Sequence, residues 1–264
     1  LINIWPDRFG LTNKVVVVTG GAGLIGEKIC WACGQAGAKV VIADIDEEKA
    51  RKLEREMHKK KLEAYYVHMD ITSENSVKSA IKQLVDREGR IDVWINNAYP
   101  RTHDWGNKLE DVKLQSWKKN VDMHLNGYFI CIQNVIKIMK QQKSGCIINF
   151  GSIYGVVGPT FSIYEGTDMT MPAAYSAIKG GIINFTRYLA SYLGKYNIRV
   201  NAVCPGGVFD NQDPIFVGRY SKHTPLGRMA SAEEIAAPVV FLASEAASYI
   251  TGHILMVDGG WTAC

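Results

Sequence analysis

Seven short apolar runs, each rich in β-branched residues and separated by longer helical patterns, constrain this chain more than any other feature. They are KVVVVTG (14–20), KVVIAD (39–44), EAYYVHMD (63–70), IDVWINNA (91–98), GCIINFGS (145–152), IRVNAVCP (198–205) and HILMVDGG (253–260). Near-continuous apolar character, without strict polar alternation, marks strands covered on both faces. Amphipathic stretches at 25–36, 46–60, 74–88, 114–142, 173–196 and 231–244 read as the intervening helices. Strand–helix alternation with right-handed crossovers predicts an α/β, Rossmann-type doubly wound fold: a seven-stranded parallel sheet with helices on both faces. With no repeat or linker in sight, residues 1–264 are expected to form one domain. Two stretches break the pattern, 160–172 and 206–225. Both follow a strand's C-terminal end, where open α/β sheets place ligands, and are expected to wall the substrate.

Composition excludes more than it selects. With 47% hydrophobic and 21% charged residues, mean hydropathy near zero and a net charge of +4, the chain has ample core material and no strong field for nucleic acid. The densest basic run, HKKK (58–61), ends a polar helical pattern and reads as a solvated face. No run reaches the ~20 apolar residues of a membrane span, and no signal-peptide pattern opens the chain, so a cytoplasmic protein is expected. Cys30 and Cys33 have C-x-x-C spacing, but no second pair or histidine cluster accompanies them for zinc. All six cysteines read as reduced, and no metal is expected.

The loop TGGAGLIG (19–26) is a stronger signal. Gly21, Gly23 and Gly26 spell G-x-G-x-x-G between a strand and a helix, and an acid, Asp44, follows Gly26 by 18 positions. Gly21 permits the tight turn, Gly23 admits a pyrophosphate to the main chain, and Gly26 lets the helix pack on the sheet. Gly20, Leu24 and Ile25 complete the loop, and Ile45 flanks the acid. A carboxylate at Asp44 suits the ribose hydroxyls of NAD and repels the extra phosphate of NADP, so NAD is the expected cofactor.

YSAIK places Tyr175 and Lys179 four apart near a helix start, hence on one face. Ser152 adds a hydroxyl at the end of a central strand. A phenol beside an ammonium is expected to ionise more readily than its usual pKa near ~10. Tyr175 then exchanges a proton with a substrate hydroxyl, Ser152 holds the reacting oxygen, and Lys179 tunes the phenol and holds the nicotinamide ribose.

These motifs, with NNAY (96–99), FGS (150–152), RVNAVCPGGV (199–208) and TGHILMVDGGW (251–261), resemble the short-chain dehydrogenase/reductase family from about residue 9 onward. The resemblance implies Asp70 and Ile71 near the adenine and Asn97 and Ala98 near a cofactor ribose. It also implies that Pro205, Gly206 and Val208 lie near the nicotinamide, Val208 meeting its carboxamide through the backbone. Dimers or tetramers through the two long helices are implied as well.

Departures from the family pattern bear on substrate. TGxxGxxG replaces the usual TGxxxGxG, as in the longer sugar-nucleotide branch, and Tyr99 replaces a glycine. His124 stands where the family carries the asparagine of a proton relay, and is either a relay itself or a core histidine. Ser152 and Tyr175 are about ten residues further apart than usual, and the extra segment holds Glu165 and Asp168. Those acids either lie over the substrate or face solvent. The later loop holds Asp210, Asn211, Arg219 and Tyr220, so a polar, sugar-like small molecule is expected. NNAYPR with the polar insertion also resembles a subgroup associated with flagellin modification and surface sugars. Internally recycled NAD in a dehydratase or epimerase, and a non-catalytic NAD(H)-binding protein, are the alternatives.

Overall fold

A computed structural model describes residues 5–264. The first element is a short helix, α1 (Trp5–Phe9), which the sequence pattern does not announce. Then come β1 (Val15–Thr19), α2 (Leu24–Gln35), β2 (Lys39–Asp44), α3 (Glu47–Lys59), β3 (Ala64–His68), α4 (Glu74–Glu88) and β4 (Val93–Asn96). The second half runs α5 (Leu114–Val121), α6 (Gly127–Gln142), β5 (Gly145–Phe150), α7 (Ala173–Leu193), β6 (Ile198–Pro205), α8 (Pro214–His223), α9 (Ala232–Ala243) and β7 (Ile254–Val257).

The seven strands form one parallel sheet in the order β3-β2-β1-β4-β5-β6-β7, as the alternation predicts. The order in which strands are added across the sheet reverses between β1 and β4, opening a crevice at their C-terminal ends. The alternating side chains of β1 feed two cores. Val15 and Val17 pack with Val41, Trp94 and Ile147 on the α4, α6 and α7 side. Val16 and Val18 pack with Val40, Ile42 and Ile95 on the α2, α3 and α9 side. Both faces are dry, which is why the strands lack polar alternation.

Local chemistry sets the helix ends. Asp46 accepts from Lys49 N–H at the start of α3, Ser73 caps α4, and Ser231 with Glu234 forms a reciprocal capping box on α9. A buried polar chain ties α7 to the sheet: Thr186 Oγ1 accepts from Asn149 Nδ2 at 3.0 Å, and Asn149 Oδ1 accepts from Asn96 Nδ2 at 2.9 Å. Because every member is partnered, the chain costs little and locks α7 in register with β4 and β5.

Two regions differ from expectation. The helix expected over 114–142 is interrupted by a π-turn at Asp122–Asn126, which separates α5 from α6. The stretch 206–225 is not all irregular: Asp213 caps α8 and Pro214 occupies its first position. Among the described residues no helix is long and apolar enough to cross a membrane, and no group of His, Cys, Asp or Glu is arranged for a metal.

Candidate active site

Backbone approach explains the loop glycines. Gly20, with φ +62°, has its missing Cβ only 2.7 Å from Ala98 Cα. At Gly26 a Cβ would stand 2.0 Å from the Gly20 carbonyl oxygen. Thr19 Oγ1 donates to Ile95 O at 3.1 Å and accepts from Asn97 N–H at 3.1 Å, clamping the ends of β1 and β4. Asn97 Nδ2 donates to Thr19 O and Gly20 O at 3.1 and 3.0 Å. No side chain caps α2, so its first-turn N–H groups stay available to a phosphate.

A cleft of about 770 Å³ runs from this loop to the end of β6. Gly20, Gly23, Leu24, Ile25, Asp44, Ile45, Asp70, Ile71, Asn97, Ala98, Pro205, Gly206 and Val208 all line it. Gly21 and Gly26 do not. They act from behind, Gly21 against Ile42 and Cys30, Gly26 against Gly20 and Asn97.

Asp44 has a structural role that the motif did not announce. Its Oδ2 accepts from Ala22 N–H and its Oδ1 from Asp46 N–H, both at 2.9 Å, and the residue is 9% exposed. It therefore braces the glycine loop while keeping one lone pair per oxygen for a ligand. Lys49, which sequence reading overlooked, lines the same end and pairs with Asp46 at 2.8 Å.

At the other end the three expected side chains converge. Ser152 follows β5 and is 4% exposed; its Oγ accepts from Tyr154 N–H at 3.2 Å, and it lines the same end of the cleft as Tyr175. Tyr175 and Lys179 lie one turn apart on α7, with Nζ 5.6 Å from the Tyr175 ring centre. Lys179 Nζ donates to Phe150 O at 2.7 Å. Burial pulls the ammonium down to about 8. Burial also pushes the Tyr175 phenol up, opposed by the Ser152 hydroxyl. The chain's own groups thus do not lower the phenol as the sequence suggested, because desolvation outweighs them.

The polar loops were misread. Tyr164, Met169, Thr170, Met171 and Pro172 reach the cleft from the insertion, while Glu165 and Asp168 are exposed and do not line it. Arg219 faces the insertion instead of substrate, donating to Ser162 O at 3.2 Å and to Glu165 O. Phe216 and Tyr220 of α8 line the cleft; Tyr220 is stacked on Trp261 at 4.3 Å and accepts from Gly207 N–H at 2.5 Å. Asp210 lies on the rim, whereas Asn211, in a left-handed turn with φ 56°, is off it. The substrate end is walled by aromatic and thioether side chains, including Tyr154, whose buried hydroxyl lacks a partner among the described residues. Spacing alone could not reveal which loop residues face inward.

Tyr99 enters the cleft, but His124 does not. The imidazole is 1% exposed, stacks on Trp105 at 5.5 Å, and gives its Nε2 hydrogen to Pro100 O. Burial, aided by the Lys179 charge, pulls it down to about 4, so it is a neutral core histidine and not a substrate contact. Between pH 6.5 and 4 the unfolded chain binds a proton at His124 that the folded chain refuses. Stability present above pH 6.5 is lost as pH falls, by on the order of 3 kcal/mol. Denaturant titrations at pH 7 and pH 4.5 are expected to show a smaller difference for His124→Asn than for wild type; equal differences would contradict it.

The sheet order and the cleft at the strand ends have the form of a doubly wound dinucleotide-binding domain. A family model described as enoyl-(acyl carrier protein) reductase matches residues 20–262. The chain belongs to the short-chain dehydrogenase/reductase family. It is 37% identical to post-translational flagellin modification protein A of Campylobacter coli, over 95% of this chain and 99% of that one. It is 35% identical to trans-4-hydroxycyclohexanecarboxylate dehydrogenase of Sinomonas cyclohexanicum, over 96% and 94%. A gluconate 5-dehydrogenase from Burkholderia cenocepacia, solved with NADP and tartrate, superposes with a TM-score of 0.89 at 28% identity, covering 98% of this chain and 99% of that one.

Proposed function

We propose that this chain is an NAD-dependent dehydrogenase interconverting a secondary alcohol and its ketone on a small, polar, ring-shaped molecule of the sugar or cyclic-alcohol kind. One observation carries the reading: Ser152, Tyr175 and Lys179 line one end of a cleft whose other end holds the uncapped α2 N-terminus and Asp44. Relatives that act on cyclic alcohols, and one associated with flagellin modification, support the substrate class. The aromatic wall supports it too, since flat rings pack well on the apolar faces of cyclic molecules.

Gly20, Gly23 and the first turn of α2 would hold the pyrophosphate, and Asp44 the adenosine ribose. Bound there, NAD supplies the hydride acceptor. Tyr175 takes the proton of the substrate hydroxyl, and in the reverse direction returns it to the carbonyl oxygen. Ser152 donates to that oxygen and stabilises its developing charge. Lys179, charged below about pH 8 and anchored on Phe150 O, has its Nζ 5.6 Å from the Tyr175 ring centre, where a positive charge favours the phenolate.

Asp44→Ser tests the cofactor half. With cyclohexanol as the trial substrate, the ratio of kcat/KM for NAD to that for NADP is expected to fall at least about tenfold, because a carboxylate facing a 2′-phosphate is removed. An unchanged ratio would remove Asp44 as the discriminating group, and a wild-type ratio below one would reject NAD preference. No turnover of cyclic or sugar alcohols with either cofactor, while NADH still binds, would reject the dehydrogenase itself.

A further inference from the structure

We propose that the turn Tyr99–Pro100–Arg101 recognises an anionic group, a carboxylate or a phosphate ester, on the substrate, with the Arg101 guanidinium as its ligand. The proposal rests on the dehydrogenase reading only for the word substrate; the anion site is argued from geometry. Chain direction sets the turn first. Asn97 and Ala98 give their N–H groups to Thr19 Oγ1 at 3.1 and 3.2 Å, so the residues beyond them emerge at the mouth of the cleft.

The turn is then anchored from behind. His124 donates to the Pro100 carbonyl from within the π-turn. Trp105 lies over His124 and meets Tyr99 edge-on at 5.8 Å. The Tyr99 ring touches His124 at 4.9 Å and Tyr175 at 5.9 Å, each nearly perpendicular. These buried contacts hold Tyr99 in one orientation although it is 40% exposed to the cleft.

Arg101 completes the arrangement. Its Cζ lies 5.8 Å from the Tyr99 ring centre, within cation–π range, and the residue lines the cleft. Arg101 is exposed and, among the described residues, meets neither a carboxylate nor a hydrogen-bond acceptor, whereas Arg199 and Arg219 are held on backbone carbonyls. The other cation at this end, Lys179, is committed to Phe150 O. Tyr99 is the shared neighbour of Arg101 and Tyr175. A molecule one ring across can therefore offer a hydroxyl to Tyr175 and an acid group to Arg101. Asp210, on the rim of the same cleft, works against anions that approach from its side. A guanidinium fork matches carboxylate and phosphate alike, so either chemistry fits.

The test measures binding without turnover. Wild type, Arg101→Met and Arg101→Lys, each with NADH, are titrated with cyclohexanecarboxylate, cyclohexyl phosphate and neutral cyclohexanemethanol, following tryptophan fluorescence. At least one anion is expected to bind wild type about ten- to a hundredfold more tightly than the neutral probe. Arg101→Met should erase that preference, Arg101→Lys should restore part, and the tighter anion identifies carboxylate or phosphate as the group. Equal binding of all three probes, no binding by any, or a preference that survives Arg101→Met would overturn the proposal. A wild type that shows the preference but oxidises no alcohol would sink the dehydrogenase reading alone. Tyr175-dependent oxidation of cyclohexanol without the preference would sink the anion site alone.

Discussion

Tyr175→Phe is expected to lower kcat by about three orders of magnitude or more, within or just beyond the usual reach of a general acid–base group. NADH affinity should change by less than about twofold, because the ring and its packing remain. The loss is large because the neighbours cannot substitute. Ser152 Oγ is tied to Tyr154 N–H and is a far weaker base than a phenolate. His124, though a histidine, gives its Nε2 hydrogen to Pro100 O and lies outside the cleft. Lys179 Nζ is held on Phe150 O at 2.7 Å. Stopped-flow turnover beside NADH fluorescence separates chemistry from binding. Activity within tenfold of wild type would remove Tyr175 from the chemistry.

Gly26→Ala is expected to have the second largest effect, although it adds one methyl group. The new Cβ would lie 2.0 Å from Gly20 O and 2.9 Å from Asn97 Nδ2, so the loop and α2 must separate. Separation breaks the Asn97 hydrogen bonds to Thr19 O and Gly20 O, which set the spacing of β1 and β4. Overpacking of this kind costs roughly 1–3 kcal/mol of stability, and the clash with backbone favours the upper end. NADH affinity should fall at least about a hundredfold, since the phosphate cradle itself moves. Isothermal titration with thermal unfolding would check both. Near-wild-type affinity would mean that the loop tolerates the shift and does not hold the phosphates.

The sheet was legible because its signal is redundant. Seven apolar runs each had to be buried on both faces, and every one became a strand within a few residues of its expected limits. Asp44, Ser152, Tyr175 and Lys179 were legible for a related reason: each sits at a strand end or on the first turns of a helix, where backbone geometry sets direction. The substrate end was not. Glu165 and Asp168 were singled out but face outward, while Tyr164, Met169 and Phe216, which lie in the stretches expected to wall the substrate but were not singled out, line the cleft. Loop side chains obey no period, so composition described the loops without saying which side of them faces the ligand. His124 stayed open between two roles for another reason. Its role depends on Pro100, 24 positions earlier, and on a π-turn that no periodicity announces.

The strand order also bears on how the chain is made. All six neighbouring strand pairs are parallel, so none closes through a tight hairpin. β1 pairs with β2 early, but its other edge waits for β4, where Val16 meets Val93. A Val15–Thr19 strand formed before the β4 segment is available would leave one apolar edge unpaired. Parallel sheets with such distant partners close slowly and aggregate easily while open. The switch in strand order that opens the crevice therefore also gives β1 the strand partner most distant from it in sequence of any pair in the sheet.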